Sequence, residues 1–157
     1  MDTSHVVSYI APFMGTFNIF LGLIDIIVTN KQTKSLREES PDKLSDDFDN
    51  FISATVMLTI VSFIFYIVAS ISNYYICSSL IIDPTEIPPF LKLYCIINIV
   101  AVILATIEVI CKVVLGLFGI SILLLVYIIL SSLHIYAFWK MKDEMLAERL
   151  ERVDEEE

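Results

Sequence analysis

The sequence predicts an all-α integral membrane protein, a left-handed four-helix transmembrane bundle with a helical C-terminal extension. Three observations predict it. Of 157 residues 57% are hydrophobic, the mean hydropathy is +0.78, and there are only four Gly and five Pro, a balance too apolar for a soluble domain of this length. The apolar residues come in runs long enough for the roughly 20 residues, at about 1.5 Å of rise each, that cross the hydrocarbon slab. Within those runs the small and polar residues recur at alternating steps of three and four, the spacing along which left-handed helix pairs meet.

The first span is residues 6–28, interrupted only by Asn18 and Asp25. The stretch before it, MDTSHVVSYI, carries no basic n-region, and the run is longer than a signal h-region, so a retained span is expected. Residues 29–50, TNKQTKSLREESPDKLSDDFDN, are polar and mixed in charge and read as a solvated connector with a turn at ESPD. Ser45 or Asp46 is placed to cap the second span. Ser35 with Glu38 at +3, and Ser40 before Pro41, have the pattern of kinase acceptor sites if this connector is cytosolic.

The second span is residues 51–75, with further apolar residues as far as Ile82. The prolines of DPTEIPP then stop the helix and put Asp83 and Glu86 at a water interface. Residues 90–139 would make a single helix of about 75 Å. They must therefore fold back, and Gly116 and Gly119 mark the break between a third span, 90–111, and a fourth, 117–139. Trp139, Lys140 and Lys142 form an aromatic and basic stop at the membrane surface. Residues 1–142 thus make the bundle, and residues 143–157 an acidic amphipathic tail. Lys140 with Glu144 and Glu148 with Arg152 stand at i,i+4, and Met141, Met145 or Leu146, Leu150 and Val153 line one face, as in a helix carried past the bilayer.

The polar stripe is the more specific signal. The first span gives Ser8, Ala11, Gly15, Asn18, Gly22, Asp25 and Thr29. The second gives Thr55, Thr59, Ser62, Tyr66, Ala69 and Asn73; the third gives Asn98, Ala101, Ala105, Glu108 and Lys112; the fourth continues more weakly through Tyr127, Ser131 and His134. Helices in lipid gain nothing from the hydrophobic effect against one another. They associate through close packing of small residues and interhelical hydrogen bonds of about 0.6 to 2 kcal/mol each, so this stripe is expected to face inward.

A charge in hydrocarbon costs about 2.5 to 3.5 kcal/mol at mid-membrane on insertion scales and tends to be paired within the bundle. Asp25 and Glu108 lie about eight residues past the midpoints of two spans that run the same way, so they share a level. Lys112, one turn beyond Glu108 on the same face, is in reach of both, and Thr55 enters at that side. Two readings stand: a structural ion cluster, or an ion or proton site with His134 and Asn73 at the opposite end of the seam. Asn18 and Asn98, at similar depth, are expected to bond to each other. His134 is either a hydrogen-bonded belt residue or a proton carrier.

Several function classes are excluded or disfavoured. The net charge of −9 leaves no basic footprint, so nucleic acid is not a partner. The chain has no HExxH, GxSxG or Gly-rich phosphate loop, and only His5 and His134 as histidines, so no enzyme, metal or other cofactor is expected. Cys77, Cys95 and Cys111 form no CxxC or loop-pair pattern. Lys and Arg divide equally between the two sides, so the positive-inside rule does not orient the chain. The KMK stop and charged tail favour both termini in the cytosol, in a plasma or endolysosomal membrane.

The span order, the Pro-bearing start of the third span in EIPPFLKLYCIINIVAVI and the aromatic and basic end of the fourth in SSLHIYAFWKMKDE resemble small animal tetraspan proteins of the lysosome-associated (LAPTM-like) type. The resemblance covers about residues 6–142 and implies the four-pass topology. The Cys-rich amino terminus and Pro-Tyr tail motifs of that type have no counterpart here, so ligase recruitment and lysosomal delivery do not carry over. The function expected is a non-enzymatic accessory, scaffolding or trafficking protein, whose partners are the lipid bilayer and another membrane protein or further copies of itself. The alternative is a small oligomeric ion channel or proton-coupled transporter using Asp25 and Glu108.

Overall fold

A computed structural model describes residues 3–39, 45–83 and 85–156. Ser40 to Asp42 of the expected ESPD turn, including the Ser40–Pro41 acceptor pattern, lie outside the described residues. All elements among those described are helices: α1 (Thr3–Glu39), α2 (Asp46–Ile82), α3 (Leu91–Val114) and α4 (Phe118–Glu156). All four are long and apolar enough to cross a membrane.

The helices run beyond the apolar stretches. The expected connector at 29–50 is corrected, because residues 29–39 are the end of α1. No Gly or Pro interrupts these residues, and their side chains serve the helix. Thr33 donates to the Thr29 carbonyl at 2.7 Å, Ser35 to Glu39 at 3.2 Å, and Lys34 pairs with Glu38 at 3.7 Å. Hydropathy alone does not separate such a polar helix from a polar loop. Arg37 ties this end of α1 to the start of α2, donating to Asp49 and to Ser53, each at 2.7 Å. Ser45 is the N-cap of α2, its side chain accepting from the Phe48 N–H.

At the far end of α2, Asp83 accepts from the Thr85 hydroxyl at 2.7 Å and the Thr85 N–H at 2.9 Å. Those two donors, the hydroxyl first, hold its carboxyl below the usual range. After Pro89, Phe90 takes a left-handed φ of 61° and delivers the chain into α3. Between α3 and α4 the reversal is made by Gly116 alone, at φ +76°. Gly119, expected to share that role, lies within the first turn of α4.

α4 then continues unbroken through Trp139, with Lys140–Glu144 at 3.7 Å and Arg152–Glu148 at 3.9 Å on its surface. The single apolar face expected in the tail is two faces. Met141 and Met145 are buried against Val7, Ile76, Leu80 and Leu91, whereas Leu146, Leu150 and Val153 point outward. A step of one residue turns a helix by about 100°, so Leu146 cannot share the face of Met145.

Around the bundle α1 packs on α2 and α4, and α3 packs on the same two helices. α1 and α3 therefore face each other across one diagonal, and α2 and α4 across the other, with no backbone contact along either among the described residues. α1 comes closest to α2 where it is smallest. A Cβ on Gly22 would lie 2.3 Å from the Phe63 ring, and one on Gly15 3.3 Å from the Ser70 carbonyl. Ser70 uses that approach to donate to the Gly15 carbonyl at 2.6 Å.

The core is layered. One apolar layer, including Ile52, Leu115, Leu117 and Ile120, closes the end near the α3–α4 turn. A second, including Met14, Ala69, Ala101 and Leu124, lies in the middle, and a third, with Val7, Ile76, Phe138 and Met141, closes the end near the start of α1. Between these layers lie two polar ones.

Candidate functional site

Most of the stripe read from the sequence faces inward, whereas Ser8 at its start is only half-buried. Asn18, Asp25, Thr55, Thr59, Ser62, Tyr66, Asn73, Asn98, Glu108, Lys112, Tyr127, Ser131 and His134 are all buried, the fourth helix contributing as fully as the other three. Those residues gather at two levels with different chemistry.

The first level is charged. Asp25 comes from α1, Glu108 and Lys112 from adjacent turns of α3, and all three have no exposed surface. The Lys112 Nζ donates to both Asp25 Oδ1 and Glu108 Oε2. Asp25 Oδ1 also accepts from Thr29 at 3.0 Å, Glu108 Oε2 from Thr59 at 3.3 Å, and Glu108 Oε1 from the Tyr66 hydroxyl at 3.2 Å. Buried charges need this density of donors, since an unpaired ion in a dry interior is costly. Among the described residues Lys112 is the only cation paired with either acid.

Thr29 and Thr59 lie on the stripe but were not marked as carboxylate partners. The signal for Thr29 is its i+4 position from Asp25, which stacks its hydroxyl over the carboxylate on one helix face. Thr55, expected at this level, is buried but does not touch the acids. Its hydroxyl donates to the Phe51 carbonyl at 2.9 Å, and its own carbonyl accepts from Thr59 at 3.0 Å.

Lys112 spans the α1–α3 diagonal, and side-chain reach is what permits it. The expected Asn18–Asn98 bond does not form. α1 and α3 make no backbone contact, and in the register set by Asp25 and Glu108 the residue level with Asn18 is Ala101, so Asn98 stands about one turn further along α3. Asn18 instead has no partner for either amide atom, while Asn98 donates to the Tyr94 carbonyl of its own helix at 2.8 Å.

The second level is neutral. His134 Nε2 donates to Asn73 Oδ1 at 3.2 Å, and Asn73 Nδ2 donates to Asn98 Oδ1 at 3.5 Å. This chain of donors runs one way from α4 through α2 to α3 and crosses the α2–α4 diagonal. The His134 ring also lies against Phe138, with centroids 4.2 Å apart. Between the two levels Tyr66 and Tyr127 meet edge to face at 5.2 Å, again across the α2–α4 diagonal.

Among the described residues no three of His, Cys, Asp or Glu converge as metal ligands, and Cys77, Cys95 and Cys111 are free thiols. Comparison with protein-family models, with curated proteins and with solved structures returns no match to this chain.

Proposed function

We propose that the chain is a four-pass integral membrane protein, wound as a left-handed bundle, that acts without catalysis as an accessory, scaffolding or trafficking component. One observation carries this reading: Lys112 is clamped between Asp25 and Glu108 with no exposed surface, between apolar layers toward either end. That arrangement serves to fix α1, α2 and α3 against one another. Its outward surface is apolar over the length of the bundle, and Leu146, Leu150 and Val153 offer α4 a further face beyond Trp139 for another membrane protein or a second copy of the chain. Both termini are cytosolic in this reading, in a plasma or endolysosomal membrane.

The alternative, a channel or proton-coupled transporter using Asp25 and Glu108, is favoured by one feature, that two carboxylates meet a single ammonium. Purified protein in liposomes with an entrapped pH dye separates the two. The scaffold reading expects no proton or cation flux above that of protein-free vesicles. A flux that Asp25→Asn with Glu108→Gln abolishes in folded protein would sink it. Co-purification from native membrane then tests for the partner.

A further inference from the structure

The charged layer does not balance. Asp25 and Glu108 bring two negative charges to the one positive charge of Lys112. The other titratable groups at this level, Tyr66 of α2 and Tyr127 of α4, are neutral phenols. A net charge of −1 sealed in an apolar bundle is unfavourable by several kcal/mol, on the order of the penalty for a buried unpaired ion. One proton removes it.

Hydrogen bonding shows where that proton belongs. Glu108 Oε1 accepts from Tyr66, Glu108 Oε2 from Lys112 and Thr59, and Asp25 Oδ1 from Lys112 and Thr29. Asp25 Oδ2 is buried and has no donor directed at it. It is the only one of the four carboxylate oxygens that accepts no hydrogen bond among the described residues, so a hydrogen there meets no competing donor.

From its level toward the neutral one lie further polar atoms in the same condition. Both amide atoms of Asn18 and the Ser62 hydroxyl are buried without partners, and so is Nδ1 of His134 at the neutral level. Leaving such groups bare costs about 1 to 3 kcal/mol each, and native interiors meet that need with ordered water making about three hydrogen bonds apiece. The helix opposite Asn18 is correspondingly slim. Asn18 precedes Asp25 by the same seven residues by which Ala101 precedes Glu108, and Ala101 and Ala105 are both fully buried.

We infer that the bundle holds ordered water between its two polar levels, and that the Asp25–Glu108 pair binds one exchangeable proton, carried on Asp25 Oδ2. In that step hydronium in the internal water gives its proton to the Asp25 carboxylate. An O–H bond forms, neutral water is left, and the charge of the layer goes from −1 to zero. The acid then donates to internal water, and the orphaned oxygen becomes a satisfied donor. The apolar layers toward both ends let the proton exchange only when the bundle opens, so it is held rather than conducted.

Infrared spectroscopy of the full chain in lipid nanodiscs at neutral pH tests this. The wild type shows the carbonyl stretch of a protonated carboxylic acid in a dry setting, shifting downward on transfer to D2O. Either Asp25→Asn or Glu108→Gln removes the band, because each leaves one acid balanced by Lys112. Asn18→Leu, which fills the water space, keeps the band but slows its deuterium shift by about tenfold or more, as exchange comes to depend on wider opening of the bundle. Absence of the band in folded wild type, its persistence in either amide variant, or an unchanged exchange rate in Asn18→Leu would overturn the inference. The inference rests on the closed-bundle reading. The two fail separately, since a liposome flux through these acids overturns that reading, whereas loss of the infrared signature overturns only the bound proton and its water.

Discussion

The two polar levels occupy the same kind of interior and solve its demands in opposite ways. At the charged level one long side chain, Lys112, gathers two acids across the α1–α3 diagonal, and Thr29, Thr59 and Tyr66 complete their hydrogen bonds. At the neutral level three shorter polar groups relay single hydrogen bonds across the α2–α4 diagonal. Each level joins a pair of helices that make no backbone contact with each other. The charged level does so with ions that become a heavy burden if one is lost, and the neutral level with uncharged groups whose loss of a partner costs less.

Removing Lys112 breaks the comparison hardest. Lys112→Met leaves Asp25 and Glu108 buried with no cation, and breaking a buried ion pair from one side costs about 3 to 5 kcal/mol. Reversible unfolding in mixed micelles, followed by helix circular dichroism, is expected to show that loss at neutral pH. The deficit should shrink as the pH is lowered, because protonation removes the charges left unpaired. A variant as stable as wild type at neutral pH would mean that the ammonium is not what holds the acids in place.

The neutral level predicts a smaller loss. Asn73→Leu deletes the hydrogen bonds to His134 and Asn98, and interhelical hydrogen bonds in membranes are worth about 0.6 kcal/mol each on average. A loss of about 1 kcal/mol is expected in the same unfolding assay. If it matched that of Lys112→Met, the two levels would be equivalent supports, and the contrast between burdened and cheap groups would fail.

The charged level was legible in the sequence because its constraints are severe. Asp25, Glu108 and Lys112 stand in apolar runs, on one helical face and at one depth, and a charge in such a run has few economical partners. Asn18 and Asn98 share the inward faces of two parallel helices but differ in level by about one turn, and face alone does not distinguish a neighbouring helix from a diagonal one. That distinction depends on the order of the four helices around the axis, which no single helix encodes, and it matters more for a short amide than for a long amine. Ser70 escaped notice because it stands one residue off the stripe. Only the close approach at Gly15 turns it into an interhelical donor. The end of α1 lies beyond the apolar run because polar residues continue the helix, and a polar stretch with good helix formers shares its hydropathy with a polar loop.

The smallest effect comes from an acid outside the bundle, and it sharpens the contrast by supplying what Asp25 Oδ2 lacks. Asp83 is exposed at the end of α2, and one of its oxygens accepts from both the hydroxyl and the N–H of Thr85. These donors favour the charged form and lower its pKa below the ordinary value of 3.8. Because the value is depressed in the folded chain, the contribution of Asp83 to the α2–α3 connection is fully present above the ordinary carboxylate range and is lost as the pH falls through the lowered value. The Thr85 amide proton should therefore hold its chemical shift through neutral and mildly acidic pH and move only below the range of a free Asp. Asp83→Asn should flatten that response while leaving unfolding of the bundle unchanged. A Thr85 amide that moved at the pH of an ordinary carboxylate would show that exposure to water, rather than the two donors, governs this acid. The difference between the inner and outer carboxylates would then rest on burial alone.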